Sequence, residues 1–260
     1  MPARIAVVTG ASTGIGRAIA VRLVREGFEP LLLARRADKL AETAAAVKAA
    51  GGVAHVETLD VTKPGAADAA LKLAEKRGLP EVLVNNAGFG LYGAFREHDR
   101  AELARMIDTN VRALTDFTAA FLPGMLARKK GRLLQLASSA AFQAMPFNSA
   151  YSATKAYVLL FGEGLAVELK GTGVTCTTLC PGPTESEFFA EGHYDGLGAV
   201  PQAVFMSADR VANIGVRAMM RGRPVVVAGV SNKLGALVAQ LVPRRASGAV
   251  LGLVLKPRKR

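Results

Sequence analysis

Short apolar runs alternate with longer stretches of helical periodicity through most of this chain. The runs are rich in β-branched residues and occupy residues 5–9, 29–34, 53–59, 82–85, 131–137, 174–179 and 224–228. Buried strands joined by connections long enough to hold a helix are typical of repeated βαβ units. The pattern therefore predicts a single α/β domain with a doubly wound parallel sheet of about seven strands and helices on both faces.

Charge is distributed unevenly over the 260 residues. The chain is 50% hydrophobic and has 33 basic and 21 acidic residues, a formal net charge of +12. Residues 1–209 contain 22 basic and 21 acidic side chains, whereas residues 210–260 contain 11 basic and none that are acidic. This composition excludes a disordered polyelectrolyte and a multi-span membrane protein. The basic character belongs to the C-terminal segment, so the net charge does not indicate nucleic-acid binding by the whole protein.

The two cysteines bear on the compartment. Cys176 and Cys180 are four residues apart, and a strand rising about 3.3 Å per residue would separate them by roughly 13 Å. A disulfide needs Cα atoms within about 7 Å. We expect two buried thiols in a reducing cytoplasm. The first strand begins at residue 4 or 5 and leads into a turn, so we also expect no signal peptide.

Glycines follow the first predicted strand at positions 10, 14 and 16, just before a helical pattern over residues 17–26. Glycine lets the backbone approach a pyrophosphate closely, and a helix N-terminus presents free N–H groups to it. The spacing is one residue longer than the standard dinucleotide fingerprint, and a tight turn without a ligand is the alternative. The predicted dinucleotide contacts in this turn are Gly10, Ser12, Thr13, Gly14, Ile15 and Gly16.

The end of the second strand bears on the choice of dinucleotide. An NAD site usually has a carboxylate there for the ribose 2′-hydroxyl, but this chain has Ala34 followed by Arg35 and Arg36. Guanidinium groups pair well with a 2′-phosphate. We predict NADP(H) in preference to NAD(H); the alternative is two solvated arginines before the helix that begins near Asp38.

A serine, a tyrosine and a lysine form the candidate catalytic group. Ser138 follows the fifth strand, and Tyr151 and Lys155 have the i, i+4 spacing that places two side chains on one helix face. A nearby ammonium favours the phenolate and lowers the tyrosine pKa, which would make Tyr151 a proton donor and acceptor near neutral pH. A Tyr-x-x-x-Lys pair alone is common, and its usual meaning is a surface helix.

In combination, these motifs resemble the classical short-chain dehydrogenase/reductase family over roughly residues 4–230. The matching positions, in the family's order, are Thr9-Gly10-x-x-x-Gly14-x-Gly16, Asp60-Val61, Asn85-Asn86-Ala87-Gly88, Asn110, Ser138, Tyr151-x-x-x-Lys155 and Pro181-Gly182-x-Thr184. The resemblance implies a Rossmann-type fold and an NADP-dependent enzyme that acts on CH–OH or C=O groups. It also favours Ser138 over Ser139, because the family's serine lies thirteen residues before the tyrosine.

The resemblance implies a role for each catalytic candidate. Tyr151 would protonate the carbonyl oxygen in reduction and deprotonate the alcohol in oxidation. Ser138 would position the same oxygen. Lys155 would hold the nicotinamide ribose and lower the tyrosine pKa, and Asn110 would support a water-linked proton path to the lysine.

The family's remaining cofactor contacts correspond to Asp60 and Val61 after the third strand, Asn86, Ala87 and Gly88 after the fourth, and Pro181, Gly182 and Thr184 after the sixth. For Asn85 and Asn86 the alternative is a purely structural role, in which the amides tie neighbouring strands together.

The substrate-binding stretch of the family corresponds to residues 185–205. Aromatic and other large side chains in or near it suggest an apolar ketone or 3-oxoacyl substrate, although about half of the rings could be ordinary core: Phe188, Phe189, His193, Tyr194 and Phe205 in the stretch, and Phe89, Phe142, Met145 and Phe147 elsewhere. Spacing predicts no metal site. The rival function is a non-catalytic dinucleotide sensor or scaffold, although such proteins usually lack the tyrosine or the lysine.

We divide the chain into a catalytic domain, residues 1–230, and an apolar and basic extension, residues 231–260. The extension has two apolar pieces of about ten residues, too short to span a bilayer. It could contact a membrane surface peripherally, pack on a partner subunit, cover the substrate cleft or form a mobile tail. The resemblance further implies a homodimer or homotetramer with an interface around the helices of Asn110 and Tyr151. No nucleic-acid reader motif accompanies the charge.

Overall fold

A computed structural model describes residues 2–185 and 205–256 and has a seven-stranded parallel sheet at its centre. Seven strands form this sheet: β1 (Arg4–Thr9), β2 (Glu29–Ala34), β3 (His55–Thr58), β4 (Leu79–Asn85), β5 (Gly131–Leu136), β6 (Val174–Cys180) and β9 (Val225–Val227). Two short strands lie outside it: β7 (Thr184–Glu185) and β8 (Met206–Ser207). The order in the large sheet is β3-β2-β1-β4-β5-β6-β9, and β7 and β8 form a separate parallel pair.

Helices cover both faces of the sheet. They are α1 (Gly14–Val24), α2 (Ala37–Ala49), α3 (Ala66–Arg77), α4 (Arg100–Ile107), α5 (Leu114–Ala127), α6 (Ser149–Glu168), α7 (Ala208–Met220), α8 (Val230–Leu241) and α9 (Arg244–Val254). A π-helical turn, Asp108–Ala113, joins α4 to α5 without a break, and short 3₁₀ turns occupy Phe95–Glu97 and Ser139–Phe142.

The core explains why the strands are nearly continuous apolar runs. Successive residues of a strand point to opposite faces, and in β1 the pair Ile5 and Val7 packs with helices α3 and α5 while Ala6 and Val8 pack with α1, α2 and α7. Because both faces are covered, most positions of the central strands hold an apolar side chain. The predicted doubly wound α/β fold is therefore confirmed.

Two predicted strands differ from the structure by two or more residues at one end, and the other predicted boundaries agree to within one residue. The predicted strand at residues 53–59 shortens to β3, an edge strand whose side chains alternate between exposed and half-buried. The predicted strand at residues 82–85 begins earlier, at Leu79, whose N–H donates to the carbonyl of Ala3 at 2.8 Å. In both cases pairing with a neighbouring strand, rather than hydrophobicity, sets the boundary.

The order of the strands reverses between β1 and β4, which marks the topological switch point of the sheet. In open α/β sheets, ligands bind outside the carboxyl ends of the strands at this point. The ends of β1, β4 and β5 are followed respectively by the glycine-rich turn, by Asn86 and by Ser138. The fold thus gathers the predicted motifs at one edge.

The C-terminal extension forms two short helices, α8 and α9, that contact each other. Neither of them, nor any other helix in the described part of the chain, is long and apolar enough to cross a membrane.

Candidate active site

A cavity of about 390 Å³ lies at the carboxyl edge of the sheet. Every residue predicted from the sequence for cofactor binding or catalysis lines it, with the exception of Asn110. The motifs lie up to about 170 residues apart in the chain, so only the strand order brings them together.

The glycine-rich turn between β1 and α1 forms one wall of the cavity. Gly10 has φ +64°, and a Cβ there would lie 2.8 Å from the Cα of Ala87. A Cβ on Gly16 would overlap the carbonyl oxygen of Gly10 and the amide of Asn86. Thr13, the N-cap residue of α1, makes no side-chain cap hydrogen bond, so the first N–H groups of the helix have no side-chain acceptor from it. The turn thus brings glycine backbone and the N-terminus of α1 to the wall of the cavity, as a phosphate-binding turn requires.

Asn86 connects this turn to the end of β4. Its Nδ2 donates to the carbonyls of Thr9 and Gly10, each at 3.0 Å, while its own N–H donates to the Thr9 hydroxyl at 3.0 Å. Asn85 points the other way, into the core, where Nδ2 donates to Thr118 Oγ1 and Gln135 Oε1 at 3.0 Å. Asn85 thus has the structural role considered as the alternative. Asn86 both lines the cavity and fixes its glycine-rich wall.

Positive charge is present where β2 ends. Ala34, Arg35 and Arg36 all line the cavity; Arg35 is exposed and Arg36 is half-buried. Arg36 Nη2 lies 3.5 Å from Thr13 Oγ1 in the glycine-rich turn. No carboxylate stands at the end of this strand, since Ala34 occupies that position.

Asp60 lies close to these arginines. Burial raises the pKa of its carboxyl group, but hydrogen bonds from the Thr62 N–H and hydroxyl, at 3.0 and 2.7 Å, and the charges of Arg35 and Lys63 outweigh burial and leave the pKa below its ordinary value. Asp60 is therefore a carboxylate at neutral pH, and Arg35 is one of the cations that balance it.

Ser138, Tyr151 and Lys155 converge at the other end of the cavity. The Ser138 hydroxyl and the Tyr151 phenol are hydrogen-bonded, and Ser138 Oγ also accepts from the Ala140 N–H at 3.1 Å. Lys155 Nζ lies 5.8 Å from the Tyr151 ring centroid and donates to the carbonyl of Leu136, the last residue of β5, at 2.7 Å. The structure does not place Tyr151 and Lys155 on a solvated surface helix: they are only 7% and 5% exposed.

Burial shifts the pKa values of both groups. It raises the pKa of Tyr151 to about 12, against a smaller lowering by the Ser138 hydrogen bond. It lowers the pKa of Lys155 to about 8. The expectation that Lys155 lowers the tyrosine pKa is not met in this structure, because desolvation of the phenol dominates and the ammonium is directed at Leu136. At neutral pH the site contains a phenol that can donate a proton and a lysine close to its titration point.

Asn110 lies behind the cavity, in the π-helical turn. Its Oδ1 accepts from the Phe89 N–H at 3.1 Å, and its Nδ2 donates to the Phe89 carbonyl at 2.9 Å and to Thr154 Oγ1 at 3.0 Å. A Cβ on Gly88 would lie 2.9 Å from Asn110 Oδ1 and 3.4 Å from Lys155 Nζ, so Gly88 separates the amide from the lysine. Asn110 thus ties α6 to the loop after β4, and π-helical turns are frequent at functional sites.

The loop after β6 completes the cavity. Thr184 Oγ1 donates to the Gly182 carbonyl at 2.9 Å, which closes a tight turn. A Cβ on Gly182 would overlap the Asn232 amide of α8, and this amide donates to the carbonyl of Ala228 at 2.6 Å. The first turn of the extension therefore supports the predicted Pro181-Gly182 contact region.

Several lining residues were not foreseen from the sequence: Tyr92, Thr109, Gln143, Asn148 and Leu255. Leu255 follows α9, and its carbonyl accepts a hydrogen bond from the Tyr92 hydroxyl. A contact between residues 163 positions apart leaves no local pattern that could have revealed it.

The side chains expected on the substrate side do not all line the cavity. Phe89 and Met145 line the cavity, whereas Phe142 packs in a core cluster with Val158 and Leu159, and Phe147 is not among the described lining residues. The alternative that some rings are core is thus correct for Phe142. Phe188, Phe189, His193 and Tyr194 lie outside the described residues, as does most of the stretch 185–205. No group of three or more potential ligand side chains in the described ranges could hold a metal ion.

A Rossmann-type sheet whose switch point holds a glycine-rich turn beside a Ser–Tyr–Lys group defines a nucleotide-binding oxidoreductase. The family model of the short chain dehydrogenase matches residues 4–194, and the chain belongs to this family.

Individual relatives agree with the family assignment. The chain is 38% identical over 177 residues to the ketoacyl reductase HetN of Nostoc sp., a match that covers 68% of this chain and 62% of that protein. A short-chain dehydrogenase from Sphingobium yanoikuyae, solved with NADPH, superposes with a TM-score of 0.80 at 28% identity and covers 98% of this chain and 97% of its own. One from Burkholderia phymatum, solved with NAD, has a TM-score of 0.81 at 23% identity, covering 100% and 98%, and so shows the fold.

Proposed function

We propose that this protein is an NADP(H)-dependent oxidoreductase that interconverts a carbonyl compound and its alcohol, with Tyr151 as the general acid and base. The observation that carries the proposal is the convergence of Ser138, Tyr151 and Lys155 on a cavity whose opposite wall is the glycine-rich turn. A hydroxyl, a buried phenol and a lysine have little structural reason to share a cavity, whereas carbonyl reduction needs a proton donor beside a hydride source.

The cavity fits a dinucleotide. Side chains at Gly10 and Gly16 would collide with the backbone of Ala87 and Gly10 and with the Asn86 amide, so glycine lets the turn pack closely on the end of β4. The N-terminus of α1, without a side-chain cap from Thr13, lines the cavity, where it would hold a pyrophosphate. Asp60, Val61 and the segment 86–88 would line the adenosine side, and the loop with Pro181, Gly182 and Thr184 the nicotinamide side. When bound, the nicotinamide cofactor supplies the hydride.

The preference for NADP(H) rests on Arg35 and Arg36. Both guanidinium groups border the cavity, and Ala34 leaves no carboxylate to repel a 2′-phosphate. The NADPH in the Sphingobium structure supports this choice, whereas the more distant Burkholderia protein binds NAD. Charge at the end of β2 is therefore the feature to test.

The pKa values favour reduction as the direction in which the site is ready to act. With its pKa raised to about 12 by burial, Tyr151 is protonated at neutral pH and can donate its proton to a carbonyl oxygen as negative charge develops there. Ser138 is hydrogen-bonded to the same phenol and would hold the oxygen next to it. Lys155 would hold the ribose of the cofactor and return a proton to Tyr151 after the phenol has donated its own. Asn110, which is hydrogen-bonded to Phe89 and Thr154, would support a water-linked proton path to Lys155.

The substrate we propose is an apolar ketone or a 3-oxoacyl compound. Phe89, Tyr92, Met145 and Leu255 provide the apolar part of the cavity, and the ketoacyl reductase relative supports the acyl class. The test is turnover of simple ketones and 3-oxoacyl thioesters with NADPH and with NADH. The rival, a non-catalytic dinucleotide sensor or scaffold, would bind cofactor but reduce no member of the panel.

We further propose a homodimer or homotetramer through α4, α5 and α6. Apolar side chains of α4 and α6 are exposed, among them Ile107, Leu160 and Val167. Replacing Leu160 by glutamate should shift the molar mass in light scattering toward the monomer. A cytoplasmic location remains a prediction from Cys176 and Cys180, both of which are buried free thiols.

A further inference from the structure

Helix α8 has its larger apolar side chains on the outside. Leu234, Leu237 and Leu241 are 62%, 54% and 76% exposed, whereas the side buried against the protein consists of Ala236 and Ala239, each 6% exposed. The leucines lie three and four residues apart and therefore share one face. A helix of a globular protein normally directs its larger apolar face inward. The inverted pattern shows that burial against the protein does not explain these leucines.

Helix α9, which contacts α8, repeats the arrangement. If a Cβ atom were added at Gly248 it would lie 3.6 Å from the Ala144 side chain, and one added at Gly252 would lie 3.5 Å from the Pro146 ring. The glycine side of α9 therefore faces the loop before α6. Val250 and Leu253 are 63% and 82% exposed. We call the exposed set the C-terminal apolar surface: Val230, Leu234, Leu237, Val238, Leu241, Val250 and Leu253.

The chain segment that carries this surface has charges of a single sign. Residues 210–260 contain 11 basic and no acidic side chains. In the sequence, Lys233 lies in α8, Arg244 and Arg245 lie at the start of α9, and Lys256 follows α9. Lys233 and Lys256 are exposed. Exposed apolar side chains interspersed with cations are the composition of helices that lie in the interface of an anionic membrane.

We propose that the C-terminal apolar surface docks the protein peripherally on a bilayer that contains anionic phospholipid. Helices of twelve and eleven residues are about 18 and 16 Å long, about half of what spans a bilayer, so they would lie along the surface. Lipid headgroups attract the cations while the leucines enter the acyl boundary. A second copy of the chain is a poorer partner, because it would bring a second segment with seven basic and no acidic residues over 230–260 against the first.

The C-terminal apolar surface adjoins one wall of the cavity. Leu255 lines the cavity, and Leu253, two residues earlier, belongs to the C-terminal apolar surface. One wall of the cavity is thus held by the segment that contacts lipid. The docking itself does not rest on the proposed function and can be tested with no substrate.

The chain contains no tryptophan, so a single introduced indole reports its own surroundings. We would compare Leu241→Trp with the control Val53→Trp, which is 55% exposed next to β3, at the edge of the sheet opposite β9. With phosphatidylglycerol-containing vesicles, the emission of Leu241→Trp should shift to the blue and that of Val53→Trp should not. Added salt should reduce the shift, because screening weakens the attraction.

Co-sedimentation of the unlabelled protein supplies the second measurement. The double variant L237E/L241E should lose more than about tenfold in vesicle partitioning, because two leucines that would be buried in the acyl boundary are replaced by charged groups. The control V53E/V56E has the same charge change on exposed residues and should bind as the parent does. Circular dichroism verifies that both variants are folded.

Three outcomes would overturn the proposal. These are no binding to anionic vesicles, equal binding to phosphatidylcholine vesicles with and without phosphatidylglycerol, and unchanged binding of a folded L237E/L241E variant. A blue shift of Leu241→Trp that appears without vesicles and grows with protein concentration would assign the surface to a contact between copies instead.

Discussion

Replacing Arg35 and Arg36 together by alanine should weaken NADPH binding and leave NADH binding almost unchanged. Hydrogen bonds to charged groups contribute about 1.5–3 kcal/mol each, but exposed ion pairs contribute only about 0.2–1 kcal/mol. Arg35 is exposed and Arg36 half-buried, so we take about 2 kcal/mol for the two together. This corresponds to a roughly 30-fold increase in the Kd of NADPH.

The assay is titration of the protein with each reduced cofactor, followed by cofactor fluorescence at low and moderate salt. It needs no substrate. Arg25→Ala is the matched control, because Arg25 is exposed and caps the C-terminal end of α1, about 16 Å from its N-terminal end. It removes a positive charge without approaching the cavity, so both dissociation constants should stay at the parent values.

The refuting result follows from the neighbourhood of Arg35. Its charge is one of those that keep the Asp60 pKa low. If Arg35 acted only by balancing Asp60, the double variant would lose affinity for NADPH and NADH by the same factor. Equal losses, or tighter binding of NADH than of NADPH by the parent protein, would therefore refute a 2′-phosphate site at these arginines.

Three further predictions concern the catalytic group and the glycine-rich turn. Tyr151→Phe should lower turnover by about 10²–10⁴-fold while calorimetry finds NADPH affinity unchanged; turnover at the parent rate would refute the assigned acid. Since burial lowers the pKa of Lys155 to about 8, the ammonium is present below that pH and kcat/KM for reduction should fall as pH rises through it. Lys155→Met should have a low rate that does not fall with pH in this range. A pH profile identical to that of the parent protein would contradict the assignment. Gly10→Ala should abolish cofactor binding and lower Tm more than Gly51→Ala. Both glycines have positive φ, but the Cβ added at Gly10 would lie 2.8 Å from Ala87 Cα, whereas the one added at Gly51 would meet no atom within 4 Å. Equal losses of Tm in the two variants would contradict this.

The fold was predictable because its signals are local. Continuous apolar strands such as residues 5–9 and 29–34 need cover on both faces, and that requirement determines a parallel sheet with helices on each side. The glycine-rich turn was predictable for a related reason, since glycines between a strand and a helix are informative wherever they occur. The edge strand β3 was placed less well, because half of its side chains face solvent and dilute the hydrophobic signal.

The electrostatics of the catalytic group could not be predicted from spacing. The i, i+4 relation correctly places Tyr151 and Lys155 on one face of α6. The spacing does not reveal that this face is buried or that the Lys155 ammonium donates to the Leu136 carbonyl. Because of these two features the tyrosine pKa is raised instead of lowered. A nearby cation lowers the pKa of a buried phenol below its ordinary value only where its effect outweighs the desolvation of that phenol.

The role of the C-terminal extension could not be predicted from the sequence. Charge and length excluded a spanning helix but left open a membrane contact, packing and cover of the cleft. The structure shows that these are not exclusive, because Leu255 closes part of the cavity through Tyr92 while the leucines of α8 stay exposed. A segment held on the protein by alanine and glycine has its bulkier side chains free for a second surface. If that surface is an anionic bilayer, as we propose, the positive charge of this segment would contribute to its binding.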